Sequence, residues 1–139
     1  MAATAAVCDS YTQELLSGTH TNTDTYKIAL YTAATASLSA ATTVYSATGE
    51  VVGTGYTAGG LALTGFTTSI DTGVVILDFT TDPSWTSATI TADSALIYNS
   101  SKTNKAVAVL TFTSASSTNG TWTLTFPAAT AAAGLIRIS

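Results

Sequence analysis

Apolar residues along this chain recur mostly at every second position, in short runs. Val74 to Phe79 is the most apolar of these runs. Lys105 to Thr113 sets Val107, Val109 and Thr111 on one side and Ala108, Leu110 and Phe112 on the other. Trp122, Leu124 and Phe126 alternate with Thr121, Thr123 and Thr125, and Tyr26, Ile28 and Leu30 alternate with Lys27, Ala29 and Tyr31. A period of two is that of a strand with one buried face. Thr86 to Thr91 and Ser94 to Tyr98 read the same way, Leu61, Leu63 and Phe66 continue as one strand, and Val44-Tyr45 begins a short one.

The punctuation between these runs is turn chemistry. Ile70-Asp71-Thr72-Gly73 joins two strands, because Asp bonds its own downstream backbone and Gly supplies positive φ. Asn119-Gly120 is a hairpin signal between the Lys105 and Thr121 runs. Pro83 and Pro127 interrupt strands, since proline cannot donate to a ladder. Gly53 to Gly60 holds four glycines and reads as a bulge or close-approach loop, and 33–43 as a long loop. One segment has a different period. Ala5 to Ser17 reads as a helix, with Val7, Tyr11 and Leu15 on one stripe and Gly18 as its C-terminal cap. About eight strands at roughly ten-residue spacing, without a βαβ rhythm, predict an all-β antiparallel sandwich or barrel. The division expected is a helical arm over 1–18 and a single β-sandwich domain over 19–139. Val74–Phe79, Ala95–Tyr98, Ala106–Phe112 and Trp122–Phe126 are expected to supply most of the core.

Composition narrows the function classes. Of 139 residues only 9% are charged, where an ordinary domain carries roughly a quarter. Threonine, alanine and serine make up about half of the chain. The surface must therefore be built from hydroxyls and methyls, which suit strands and broad protein–protein contact. Net charge is −4, and the only local basic cluster is Lys102 with Lys105, so a phosphate-reading face is not expected. No apolar run approaches the roughly 20 residues of a membrane-spanning helix. The N-terminus lacks a basic n-region and a long apolar h-region, so the chain is expected to be made in the cytoplasm and left unprocessed.

Candidate chemistry is sparse. Cys8 with His20 as its base would be a nucleophile pair, but no residue evidently orients the histidine, and a small buried apolar role for Cys8 is the alternative. His20 and Asp24 could complete a triad with a serine, yet nothing singles one out and no Gly-x-Ser-x-Gly elbow occurs. Asp71, Asp78, Asp82 and Asp93 could pair across a sugar cleft or hold calcium, or could be ordinary turn acids. Gly53 to Gly60 lacks the lysine and following helix of a phosphate loop. Tyr26, Tyr31, Tyr45, Tyr56, Trp85, Tyr98 and Trp122 could form a sugar platform, or serve as core and interface anchors. Asn99-Ser100-Ser101 and Asn119-Gly120-Thr121 match the glycosylation pattern but also suit turns. No catalytic, metal or cofactor residue is assigned from this reading.

Several stretches together resemble a family of small structural proteins of tailed bacteriophages. They are Ala5 to Ser10 with Glu14 to Gly18, Thr25 to Tyr31, Gly49 to Gly60, and Ala95 to Lys102, the last two being the most specific. Size and β-character are similar to the cement, or head-decoration, proteins of short-tailed phages. The resemblance implies a jelly-roll sandwich, commonly dimeric, that stitches capsid subunits together. It implies a virion protein on the outer surface of the capsid, with the major capsid protein as partner, a homodimeric state and no catalytic residues. A tail or head-fibre module binding a receptor or carbohydrate is the alternative.

Overall fold

The turn at Thr72-Gly73 closes a hairpin whose strands pair from Phe66–Phe79 to Asp71–Val74. Both turn residues have positive φ, 47° and 85°, as the twist-matched two-residue hairpin requires. In the computed structural model, which describes residues 3–33 and 36–139, this hairpin is one edge of the smaller of two antiparallel sheets. In chain order the elements are β1 (Thr4–Val7), α1 (Asp9–Leu16), β2 (Tyr26–Tyr31), β3 (Leu61–Ala62), β4 (Phe66–Asp71), β5 (Val74–Phe79), β6 (Ser84–Asn99), β7 (Lys105–Thr123) and β8 (Ile136–Ile138). The large sheet runs β1-β7-β6-β2-β3 and the small sheet β4-β5-β8. Rings join the two: Tyr26 of β2 lies 5.6 Å from Phe66 and 5.7 Å from Phe79. The architecture is thus all-β, two antiparallel sheets with one short helix.

Three expectations are corrected. Residues Ala5 to Val7, expected to begin the helix, instead belong to β1 (Thr4–Val7), which pairs with Ala108 to Thr111 of β7. Alanine locally favours helix, but so short a segment cannot hold one alone, and pairing with the open backbone of β7 overrides the preference. The helix starts only at Asp9 and ends as expected: Thr19 N–H bonds Glu14 C=O and Gly18 N–H bonds Leu15 C=O, with Gly18 at φ 73°. Within this segment Cys8 and Tyr11 are fully buried. Second, Thr86–Thr91 and Ser94–Tyr98 belong to the single strand β6, and Asn119-Gly120 lies within β7 rather than at a hairpin tip. Asn119 does take positive φ, 47°, but as an irregularity near Ser87, itself at 48°, where the β6–β7 register shifts. Third, Leu61-Ala62 and Phe66–Asp71 fall in different sheets, with the chain crossing between them at residues 63–65.

The core strands expected from the sequence are in the core, Trp122 and Phe126 included. The sequence pattern missed that β2, the Ser94–Asn99 part of β6 and the Ala106–Leu110 part of β7 are covered on both faces. Ala29 and Tyr31, alternating with Ile28 and Leu30, are buried just as deeply. The second cover comes from the excursion between β2 and β3. There Tyr45 stacks on Tyr98 at 4.6 Å, the Tyr31 hydroxyl donates to Ser46 C=O, and the Tyr98 hydroxyl donates to Gly59 C=O. Gly60 closes this cover against β2. A Cβ there would sit 1.7 Å from Ile28 C=O, so no other residue fits.

Candidate functional site

The residues that the sequence marks for chemistry come together as structural ties. His20 lies in the loop after α1, and its side chain is fully enclosed. Asn99, the last residue of β6, fixes its tautomer. Asn99 Oδ1 accepts the Ser101 N–H at 3.0 Å, which turns Nδ2 toward the histidine. The two Nδ2 hydrogens go to His20 Nδ1 at 3.0 Å and Asp24 Oδ2 at 2.8 Å. His20 Nδ1 is therefore an acceptor, and Nε2–H donates to Glu14 Oε2 of α1 at 2.7 Å. Lys105 Nζ reaches the other Glu14 oxygen at 2.7 Å, and Lys102 Nζ approaches Asp24 Oδ1 at 3.8 Å. The histidine and Asp24 do meet, but through an asparagine, and among the described residues no serine hydroxyl bonds the ring.

Electrostatics follow from these partners. Burial alone would raise the Glu14 carboxyl, but the hydrogen bonds from Lys105 and His20 override it and hold the group below the usual carboxylate range. Asp24 behaves alike: burial pushes it up, and Asn99, Thr21 and Lys102 bring it down. The two lysines expected as a basic cluster are divided between these two acids. Cys8 sits at the N-terminal boundary of α1, where burial, assisted by Asp9, pushes its thiol up to about 11. A nucleophile needs the opposite shift.

A second tie organises the excursion, and the sequence reading missed it. Glu50 accepts the hydroxyls of Tyr45 and Tyr56, each at 2.6 Å, and the Gly59 N–H at 2.7 Å. The Tyr56 oxygen in turn accepts the Leu30 N–H of β2. One carboxylate thus binds the cover layer to the sheet. The available signal was scarcity: with eight acids in 139 residues, a lone glutamate in a glycine- and tyrosine-rich stretch has a specific partner set.

The four aspartates proposed as carboxylate pairs or calcium ligands each accept a backbone N–H: Asp71 from Ala131, Asp78 from Phe79, Asp82 from Phe126 and Asp93 from Ala33. Among the described residues, no three His, Cys, Asp or Glu side chains are grouped as a metal site. The aromatics are inward. Tyr26, Tyr31, Trp85, Tyr98 and Trp122 are buried, and Tyr45 and Tyr56 hold Glu50, which leaves none of the seven as an open sugar platform. Asn99 is buried and fully used, so it is closed to glycosylation, whereas Asn119 is exposed.

The exterior is hydroxyl-rich and carries open strand edges. β1 and β8 flank a groove of about 330 Å³ lined by Ala5, Val7, Val74, Leu135 and Arg137. Large apolar side chains reach solvent at Leu16, Val44, Val52, Ile70 and Val75, the last two directly opposite each other near the β4–β5 turn. No family model, curated protein or solved structure matches this chain.

Proposed function

We propose that this protein is a structural component of a bacteriophage virion, a cement or decoration protein that binds the outside of the capsid shell through non-covalent contacts. Its partner in this reading is the major capsid protein, and its working form a homodimer. The observation that carries it is where the charges go. Seven of the eight acids, Glu14, Asp24, Glu50, Asp71, Asp78, Asp82 and Asp93, accept hydrogen bonds from the chain itself. What remains outside is a threonine-, serine- and alanine-rich surface with open sheet edges. Such a surface loses little when buried, because few ions must be stripped of water, and the centres of protein interfaces are likewise poor in charge. The head-decoration role itself rests on the family resemblance. Its two most specific stretches, Gly49–Gly60 and Ala95–Lys102, touch each other through the Tyr98–Gly59 hydrogen bond and so describe the scaffold.

Quantitative gels of purified particles test the proposal. Copy number should track the major capsid protein, and stripping the protein should lower the temperature at which shells rupture. Presence in only a few copies, or glycan binding by the isolated protein, would instead favour the fibre module.

A further inference from the structure

β4 is an edge strand without the usual guards. The other strands that end a sheet are short, β3 with two residues, β8 three and β1 four, and the longer β6–β7 ribbon beyond β1 and β2 is interrupted by register shifts. β4 has six, its register with β5 is unbroken, and Thr67, Thr68, Ser69 and Ile70 are all exposed. It contains no proline and no lysine, and its one charge, Asp71, lies at the end. Backbone direction along it is fixed by one bond: Thr80 N–H donates to Gly65 C=O at 3.0 Å. Odd-numbered residues therefore face β5, and by alternation Phe66, Thr68 and Ile70 turn their N–H and C=O outward.

The same three residues share the core-side face. Phe66 pairs with Phe79, Thr68 with Leu77, and Ile70 with Val75, beyond which lies Ile138 of β8. The first row is packed under Tyr26. The last ends in solvent, with Ile70 75% and Val75 41% exposed.

We propose that this edge pairs antiparallel with the same edge of a second copy, about a two-fold axis at Thr68. This deepens the dimer element of the reading above, and its geometry is independent of any capsid. With Thr68 opposite Thr68, Phe66 falls opposite Ile70 and Thr67 opposite Ser69, and all outward backbone groups between Phe66 and Ile70 find partners. The open row then becomes continuous, from Ile138 through Val75 and Ile70 to Phe66 and Phe79 of the second copy, and again by symmetry. Asp71 comes opposite Gly65, so no like charges meet. A slip of two residues either way sets Ile70 against a threonine and breaks the row. An isologous contact of this kind closes on itself and stops at a dimer.

The test uses the isolated full-length chain. Sedimentation should show a dimer. Oxidised Thr68→Cys should cross-link, because directly opposed hydrogen-bonded residues have Cα atoms about 5.5 Å apart, within disulfide reach. Ser69→Cys should not, as its counterpart lies two residues further along the strand. Thr68→Lys, which sets like charges face to face, should weaken association at least about tenfold while leaving the circular-dichroism spectrum unchanged. A wild-type monomer at high concentration overturns the proposal and leaves the edge to a strand of another protein. So does a dimer that Thr68→Lys leaves intact and Thr68→Cys fails to lock. If Thr68→Lys does not fold, the cysteine pair decides. A dimer absent from particles would sink the capsid reading alone, whereas a capsid-bound monomer would sink this inference and the homodimeric working form and leave the capsid role standing.

Discussion

From Ala95 to Asn99 the large sheet is buried without a break, whereas from Thr67 to Ile70 the small sheet is exposed without one. Their residues already differ, Ala-Leu-Ile-Tyr-Asn against Thr-Thr-Ser-Ile, and the cover over them differs in the same sense. The large sheet has the small sheet on one face and the 36–60 excursion on the other, and the His20–Asn99–Asp24 and Glu50 networks tie these layers together. In the small sheet β5 is packed on both faces at Ile76 and Leu77, but β4 is covered on one face only, and that cover runs out before the strand does. A protein with so few charges uses them to fasten its interior and leaves hydroxyl and methyl surface for contact.

The most severe way to break this contrast is to remove residues 1–17. That deletion takes away β1, the fully buried Cys8 and Tyr11, and the Glu14 partner of both His20 and Lys105. The expected outcome is loss of the cooperative unfolding transition, read by calorimetry. A truncated chain that stays folded would restore the segment to the status of an arm.

Glu50→Ala comes next. It leaves two tyrosine hydroxyls and the Gly59 N–H without their acceptor, at a cost of about 2–4 kcal/mol in urea unfolding. A loss within the scatter of ordinary surface changes, under about 0.5 kcal/mol, would mean the excursion is held by apolar packing alone.

A gentler probe is alkaline pH. Burial raises the phenols of Tyr11, to about 12, and of Tyr26, Tyr31, Tyr45, Tyr56 and Tyr98, all on the large-sheet side. For a raised group, stability is fully present below the unfolded value of about 10 and is lost as pH climbs toward the folded value. The thermal midpoint should therefore fall progressively above about pH 10, with phenolate absorbance appearing together with unfolding. Phenolates that appear before unfolding would show the tyrosines to be accessible.

Local chemistry was legible in the sequence and long-range pairing was not. The Asp71-Thr72-Gly73 turn, the β5 run and the Gly18 cap each need only neighbouring residues, and each is where the pattern puts it. At Asn119-Gly120 the sequence signals a hairpin, yet only Asn119 takes positive φ, and topology makes it an irregularity inside β7 rather than a turn. β1 was misread because Ala5-Ala6-Val7 suits a helix as well as a strand until β7 is beside it. Of the histidine tie, His20 and Asp24 were visible as neighbours. Asn99 was seen only as a possible sequon, because its partners lie more than seventy residues away and nothing local announces them.

Residue-resolved amide hydrogen exchange tests the contrast most directly. The account predicts that amides of Ala95–Ile97 and Ala108–Leu110 exchange last. In dilute protein, Thr68 and Ile70 should exchange fast while Thr67 and Ser69 are protected, and raising the concentration should slow the outward pair. Outward β4 amides already as slow in dilute solution as the centre of the large sheet, or a large-sheet centre that exchanges before β4, would contradict it.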